Sequence, residues 1–172
     1  MDFDLSRSLF CNGDINENTL SSIASEIEKL TKTDPTTLIT LFLTSTGGNV
    51  ADGFAIYDYI KHIIRPELQT VVLGEASSAA IMLFLLGQKE KRYMGPRALM
   101  RFHRFWIERT GALNRTRIQK IDNDLAVSEN YYIDIIAANS KISKTGVRNI
   151  LDEEATITAQ RAVELGLAHE IL

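Results

Sequence analysis

The chain has 172 residues, long enough for one domain, residues 1–172, with a substantial core. Hydrophobic residues make up 45% and charged residues 24%, an ordinary balance for a soluble globular protein. The net charge of −3, with no basic tract, gives no general pull toward nucleic acid or an anionic membrane. The single cysteine, Cys11, excludes an internal disulfide, and no Cys/His cluster suits zinc. A reducing, cytoplasmic setting is expected. The opening "MDFDLSRSLF" lacks a basic region followed by an apolar stretch, so no signal peptide is expected. The longest apolar run, Ala79 to Leu86, is too short to span a bilayer.

Taken in chain order, "NTLSSIASEIEKLTKTD" reads as an amphipathic helix. Leu20, Ile23, Ile27 and Leu30 recur at helical spacing, with Asn18 or Thr19 as the cap. "TTLITLFLT" is β-branched and continuously apolar, which suits a strand buried on both faces. It ends at the turn "STGGN". "VADGFAIYDYIKHII" reads as a helix that stops before Pro66. "LQTVVLG" is a second buried strand, and "SSAAIMLFLLG" a short apolar helix closed by Gly87. "ALMRFHRFWI" supplies one or two strands. "NRTRIQKIDNDLAVSENYYIDIIAANS" is the longest helical candidate, with Ile118, Ile121, Leu125, Tyr132 and Ile136 roughly on one face. "KTGVRNILDEE" gives a short helix and loop. Thr158 caps a last helix, "AQRAVEL", that Gly166 stops, and "LAHEIL" closes as a strand. Alternating strands and helices predict an α/β fold with a largely parallel sheet, whose ligands meet the carboxyl ends of strands.

Two strand ends carry the candidate chemistry, "STGG" and "GEASS". Adjacent Ser77 and Ser78 suit a helix cap and close packing. A serine at a helix start also lies beside free backbone N–H groups that can stabilise an oxyanion. The stretch does not match the G-x-S-x-G elbow, because Ala76 stands where that motif needs serine. A serine nucleophile needs a base, and the chain has three histidines. His62 and His169 read as surface or packing residues. His103, at the end of "MRFH", is a base candidate or a core-edge histidine. Among 22 acidic residues the sequence does not select an orienting carboxylate. Asp152 in "NILDEEAT" is a candidate, and "DEE" equally suits a solvated cluster. "STGG" is a turn, or a place where backbone approaches substrate. No phosphate loop, dinucleotide fingerprint or metal motif occurs.

From about Leu9 to Leu172 the sequence resembles the Clp protease proteolytic subunit family. "STGGNVADGFAIYDYI" is similar to that family's Ser-Pro-Gly-Gly segment and following helix. "GEASSAAIMLFLLG" resembles its nucleophile segment, "GPRALMRFH" the approach to its histidine, and "LDEEATITAQRAVELGLAHEIL" its closing segment. The resemblance implies a crotonase-like ClpP fold, with a parallel β-sheet core of repeated ββα units and a long protruding handle helix over about 116–139. It implies a serine endopeptidase with Ser78 as nucleophile, His103 as general base and Asp152 as orienting carboxylate. The Gly48 and Ala79 amides would form the oxyanion hole. It further implies no cofactor or metal, and peptide or unfolded-protein substrates. Heptameric rings would stack as a tetradecamer and associate with a ring-shaped ATPase unfoldase.

The sequence departs from the family pattern in four places. Thr46 replaces a proline. "RFWIERTGAL" stands where the family has Gln-Pro and a Gly-rich strand that pairs with substrate. The segment from Asp152 to Thr158-Ala159 is about two residues short, which makes Glu153 the alternative carboxylate. Little chain precedes "SRSLFCNGDI", so reduced axial loops are expected. Two other functions compete: a catalytically silent or regulatory ring subunit, and a crotonase-fold acyl-CoA enzyme that uses the same backbone donors.

Overall fold

A computed structural model describes residues 3–107 and 110–172. Met1 and Asp2 of the expected 1–172 domain, and Glu108 and Arg109 of "RFWIERTGAL", lie outside the described residues. The core is a parallel sheet in the order β1-β2-β3-β4-β7, formed by Ser8–Ile15, Ile39–Gly48, Leu68–Ser77, Arg92–Met94 and Glu170–Ile171. Two further strands lie off this path. β5 (Leu99–Arg101) pairs parallel with the end of β3, and β6 (Thr156–Thr158) pairs antiparallel with β5. This is the mixed α/β, parallel-sheet architecture expected of the Clp-type fold.

The central strands follow from their composition. Ile39–Leu43 and Leu68–Val72 are buried without interruption, so both faces of the sheet are covered there. β1 has only Cys11 and Ile15 buried and lies at the sheet edge, which is why its mixed sequence gives little strand signal. Helix α1 (Glu17–Thr33) buries Ile23, Ala24 and Ile27. Its cap is Asn16, in a capping box with Thr19, two residues ahead of the expected Asn18. Helix α2 (Val50–Asp58) passes into a π-helical turn, Tyr59–Ile64, and stops at Arg65, one residue before Pro66. Helix α3 (Ala79–Phe84) is buried along its whole length. Each large side chain in it, such as Ile81 or Phe84, contributes roughly 1.5–3 kcal/mol of burial.

Helix α4 (Arg115–Ala138) buries only Tyr132, Ile133 and Ile136. Its first turns are exposed, including Ile118. Helices α5 (Lys144–Asp152) and α6 (Ala159–Glu164) complete the chain, and Thr158 caps α6 through the Arg161 N–H. No helix among the described residues is long and apolar enough to cross a membrane.

The sheet has one irregularity that positions the site. β3 pairs with β4 over Thr70–Val72, then with β5 over Glu75–Ser77. Between those stretches its register to β2 shifts, from Leu43↔Val72 to Ser45↔Ala76. The bulge redirects β3 so that its carboxyl end lies between those of β2 and β5. The expected strand over 98–107 is therefore short: β5 ends at Arg101, and Phe102–Ile107 has no regular structure.

Candidate active site

Three strand ends meet at Ser78. Its φ of 53° and ψ of −126° lie outside the ordinary regions for a residue with a side chain. Such a conformation costs on the order of 1–3 kcal/mol and persists where the surroundings enforce it. Three hydrogen bonds do so. The Ser78 N–H donates to the Arg101 carbonyl at 3.0 Å. The Ser78 carbonyl accepts from the Tyr132 hydroxyl at 2.9 Å and from the Ile81 N–H at 3.1 Å. The side chain caps nothing, although Ser78 stands at the start of α3. Ser77 is turned away, its hydroxyl donating to Glu75 at 3.1 Å. Ser78 holds the N-cap position of α3, but neither serine hydroxyl caps the helix, so the expected side-chain capping is absent while the expected close packing is present.

The "STGG" turn packs directly against this corner. Gly47 has φ 99°, and a Cβ there would lie 2.7 Å from both the Ser77 carbonyl oxygen and the Ser78 Cβ. A Cβ on Gly48 would lie 2.3 Å from the Ile15 carbonyl oxygen. The glycines are thus required by close backbone approach. Gly48 lines the same cleft as Ser78. Ala79 opens α3, so its N–H belongs to the first turn, which lacks intrahelical acceptors.

The cleft has a volume of about 520 Å³, within the range of side-chain and small-ligand sites. Ser78, His103, Thr46 and Gly48 line its polar part. Val50, Phe105, Trp106, Ile107 and Leu125 give it apolar walls, with Asn49, Asp124 and Ser128 beside them. Ser78 and His103 thus face one space, although they lie on different elements.

His103 follows β5 and is half-buried. Its Nδ1 lies 2.8 Å from the Arg104 carbonyl oxygen. A carbonyl only accepts, so this contact requires a proton on Nδ1. Neutral His103 then carries its lone pair on Nε2, the tautomer of a base.

Asp152 is the last residue of α5. The β5–β6 pairing, Arg101↔Thr156, and the Phe102 N–H to Ala155 carbonyl bond (3.0 Å) bring the segment before β6 back beside residues 102–104. Asp152 meets Arg104 there, not His103. Its Oδ1 accepts from Arg104 Nε at 2.7 Å and from Arg104 Nη2. Arg104 Nη1 donates to Glu129 of α4, whose other oxygen accepts the Phe105 N–H at 3.0 Å. The hydrogen bond to Asp152, then that to Glu129, hold the Arg104 guanidinium above its usual pKa. Glu153, the alternative carboxylate, is exposed at the end of α5. Among the described residues no hydrogen bond joins Ser78 to His103 or His103 to Asp152 in this conformation.

Sequence reasoning missed Tyr132, Arg104 and Glu129. The stripe on α4 marks Tyr132 as apolar packing, and nothing in the sequence pairs it with the Ser78 carbonyl. Arg104 and Glu129 meet only through the β5–β6 register and the course of α4.

The Clp protease family matches residues 3–172 of this chain. Three curated relatives, each an "ATP-dependent Clp protease proteolytic subunit" of a strain of Dehalococcoides mccartyi, cover 96% of this chain and 82% of their own length. Two are 31% identical to it over 171 residues and the third 32%. These matches, with which the parallel-sheet α/β fold agrees, show that the chain belongs to the Clp protease family.

Proposed function

We propose that this chain is a serine endopeptidase of the Clp type. One observation carries the reading: Ser78, held in a strained corner where its side chain caps nothing, shares a cleft with His103 in its base tautomer. In the proposed mechanism His103 Nε2 takes the Ser78 hydroxyl proton as Oγ attacks a peptide carbonyl carbon. The tetrahedral oxyanion accepts the Gly48 and Ala79 N–H groups. His103 returns the proton to the leaving amine as the C–N bond breaks. Water, deprotonated by His103, then releases the acyl group and regenerates Ser78. Asp152 would orient His103 and balance its charge once it reaches Nδ1. The apolar walls of the cleft favour an apolar side chain next to the scissile bond. Helix α4 exposes Ile118, Val127 and Tyr131, which suits burial against further copies of the chain, and stacked heptameric rings around an inner chamber are the proposed assembly. A ring-shaped ATPase unfoldase would supply unfolded chains, and the buried, unpaired Cys11 suits a reducing cytoplasm.

The test is hydrolysis of a fluorogenic peptide with an apolar residue before the scissile bond, by the assembled protein beside Ser78→Ala. Turnover that Ser78→Ala abolishes supports the reading. Turnover that survives in Ser78→Ala contradicts it. A silent ring subunit is the second reading, and the hold of Arg104 on Asp152 is what favours it.

A further inference from the structure

Arg104 occupies both of the partners that a Ser–His–Asp set must bring together. Its carbonyl takes the Nδ1–H of His103. Its guanidinium takes Asp152 through two donors, the Nε contact being 2.7 Å. The remaining amino group holds Glu129, whose second oxygen is fixed by the Phe105 N–H. Both donors converge on one carboxylate oxygen, Oδ1, and these charge-assisted bonds hold Asp152 toward Arg104. An imidazole N–H aimed at a carbonyl is not available to a carboxylate. One residue therefore keeps the two groups apart twice over.

We propose that Arg104 is a latch, a positioning residue that withholds Asp152 from His103 and couples the withheld state to helix α4 through Glu129. This rests on the peptidase reading above. The two limbs differ in strength. The Glu129 side chain is 12% exposed and has a second anchor, whereas Asp152 is 53% exposed and, among the described residues, has the Arg104 ion pair alone. Exposed ion pairs are weak and partly screened, so the Asp152 limb is the one that opens. Glu129 lies on α4 three residues before Tyr132, which holds the Ser78 carbonyl. A displacement of α4 would thus act on the latch and on the nucleophile corner together. Release needs no bond chemistry. Arg104 swings with Glu129, Asp152 turns toward His103, and Nδ1–H exchanges its carbonyl acceptor for a carboxylate.

The experiment uses the full chain in its assembled form. The imidazole ¹⁵N signals of His103 are recorded in the parent protein, Asp152→Asn, Arg104→Gln and the double variant, with Arg104→Lys as a second probe that keeps the charge and loses the fork. In parallel, the rate at which a fluorophosphonate labels Ser78 is measured in the parent and both Arg104 variants. With the latch in place, Asp152→Asn leaves the His103 signals where they are. In the Arg104→Gln background it moves them, and Arg104→Gln labels Ser78 on the order of tenfold faster than the parent. Signals that respond to Asp152→Asn equally in both backgrounds, or in neither, overturn the latch. Measurable labelling at equal rates in the parent and Arg104→Gln overturns it too, and leaves the peptidase reading standing. Spectral coupling without labelling of Ser78 in any variant upholds the latch and removes the peptidase reading.

Discussion

The hydroxyl of Tyr132, buried on helix α4, donates a 2.9 Å hydrogen bond to the carbonyl of Ser78. The long helix is thereby fastened to the backbone of the candidate nucleophile. Burial pushes the phenol well above its usual pKa, so it remains a donor at neutral and moderately alkaline pH. Tyr132→Phe keeps the ring and its edge contact with Phe105 at 5.2 Å but removes the donor. The Ser78 carbonyl still accepts from Ile81, so the stability loss should be modest, about 1 kcal/mol. Thermal denaturation should show a drop of about 2–4 °C, and the labelling rate of Ser78 should fall severalfold. An unchanged labelling rate would show that α4 does not hold the corner.

Gly47→Ala should be more damaging to the site than to the fold. The added Cβ meets the Ser77 carbonyl and the Ser78 Cβ, and φ 99° is unfavourable for alanine. Misplacement of a reacting group by about 1 Å lowers rate by about 10²-fold, so peptidase activity should fall by about that factor. Gly13→Ala is the control, since its Cβ meets nothing within 4 Å at φ 79°. Comparable activity in the two variants would mean that the close approach of β2 to Ser78 is dispensable.

The parts of this architecture that were legible from the sequence are those whose composition leaves no alternative. Ile39–Leu43, Leu68–Val72 and Ala79–Phe84 are continuous apolar segments, and all are buried. β4 and β6 are three residues each and owe their form to their neighbours, so no local pattern announces them. The serine pair looked like a source of side-chain capping because small polar residues precede a helix. What decides against that is the backbone at Ser78, fixed by bonds to Arg101 and Tyr132, residues 23 and 54 positions away. His103 and Ser78 could be named from family resemblance. The position of Asp152 depends on an antiparallel register and on Arg104, neither of which has a local signature.

Arg92 is expected to be among the most sensitive positions for stability. It is buried, yet it faces carbonyls, not a carboxylate. It donates to Gly87 (2.8 Å), Leu85 (3.0 Å), and the Asn139 main-chain and side-chain oxygens (2.8 and 2.9 Å). Leu85 and Asn139 end α3 and α4, so two negative helix ends converge on one cation. Burial lowers its pKa to about 10, which leaves it charged at neutral pH. Arg92→Met would strand these acceptors and should cost about 3 kcal/mol or more, a drop of roughly 6–12 °C in Tm. A change under about 1 kcal/mol would refute this role.

Cys11 gives a pH-dependent test of the core. Burial pushes its thiol from 9.0 to about 11. The unfolded chain ionises it from about pH 9, while the folded chain keeps it neutral. Its contribution is therefore complete below pH 9 and is lost as pH rises toward 11. Two pKa units correspond to about 2–3 kcal/mol at most. Over that window the urea midpoint should fall more in the parent than in Cys11→Ala. Cys11 should also resist alkylation at pH 8 until the chain unfolds. Rapid alkylation of the native protein would place Cys11 outside the core.

The most direct test of the central claim is to treat the native assembly with a fluorophosphonate and map the adduct by peptide mass spectrometry, beside Ser78→Ala and His103→Ala. The expected result is a stable adduct on Ser78 that is lost in both variants. An adduct on Ser77, or one on Ser78 that persists undiminished in His103→Ala, would contradict the assignment of an activated serine at this corner.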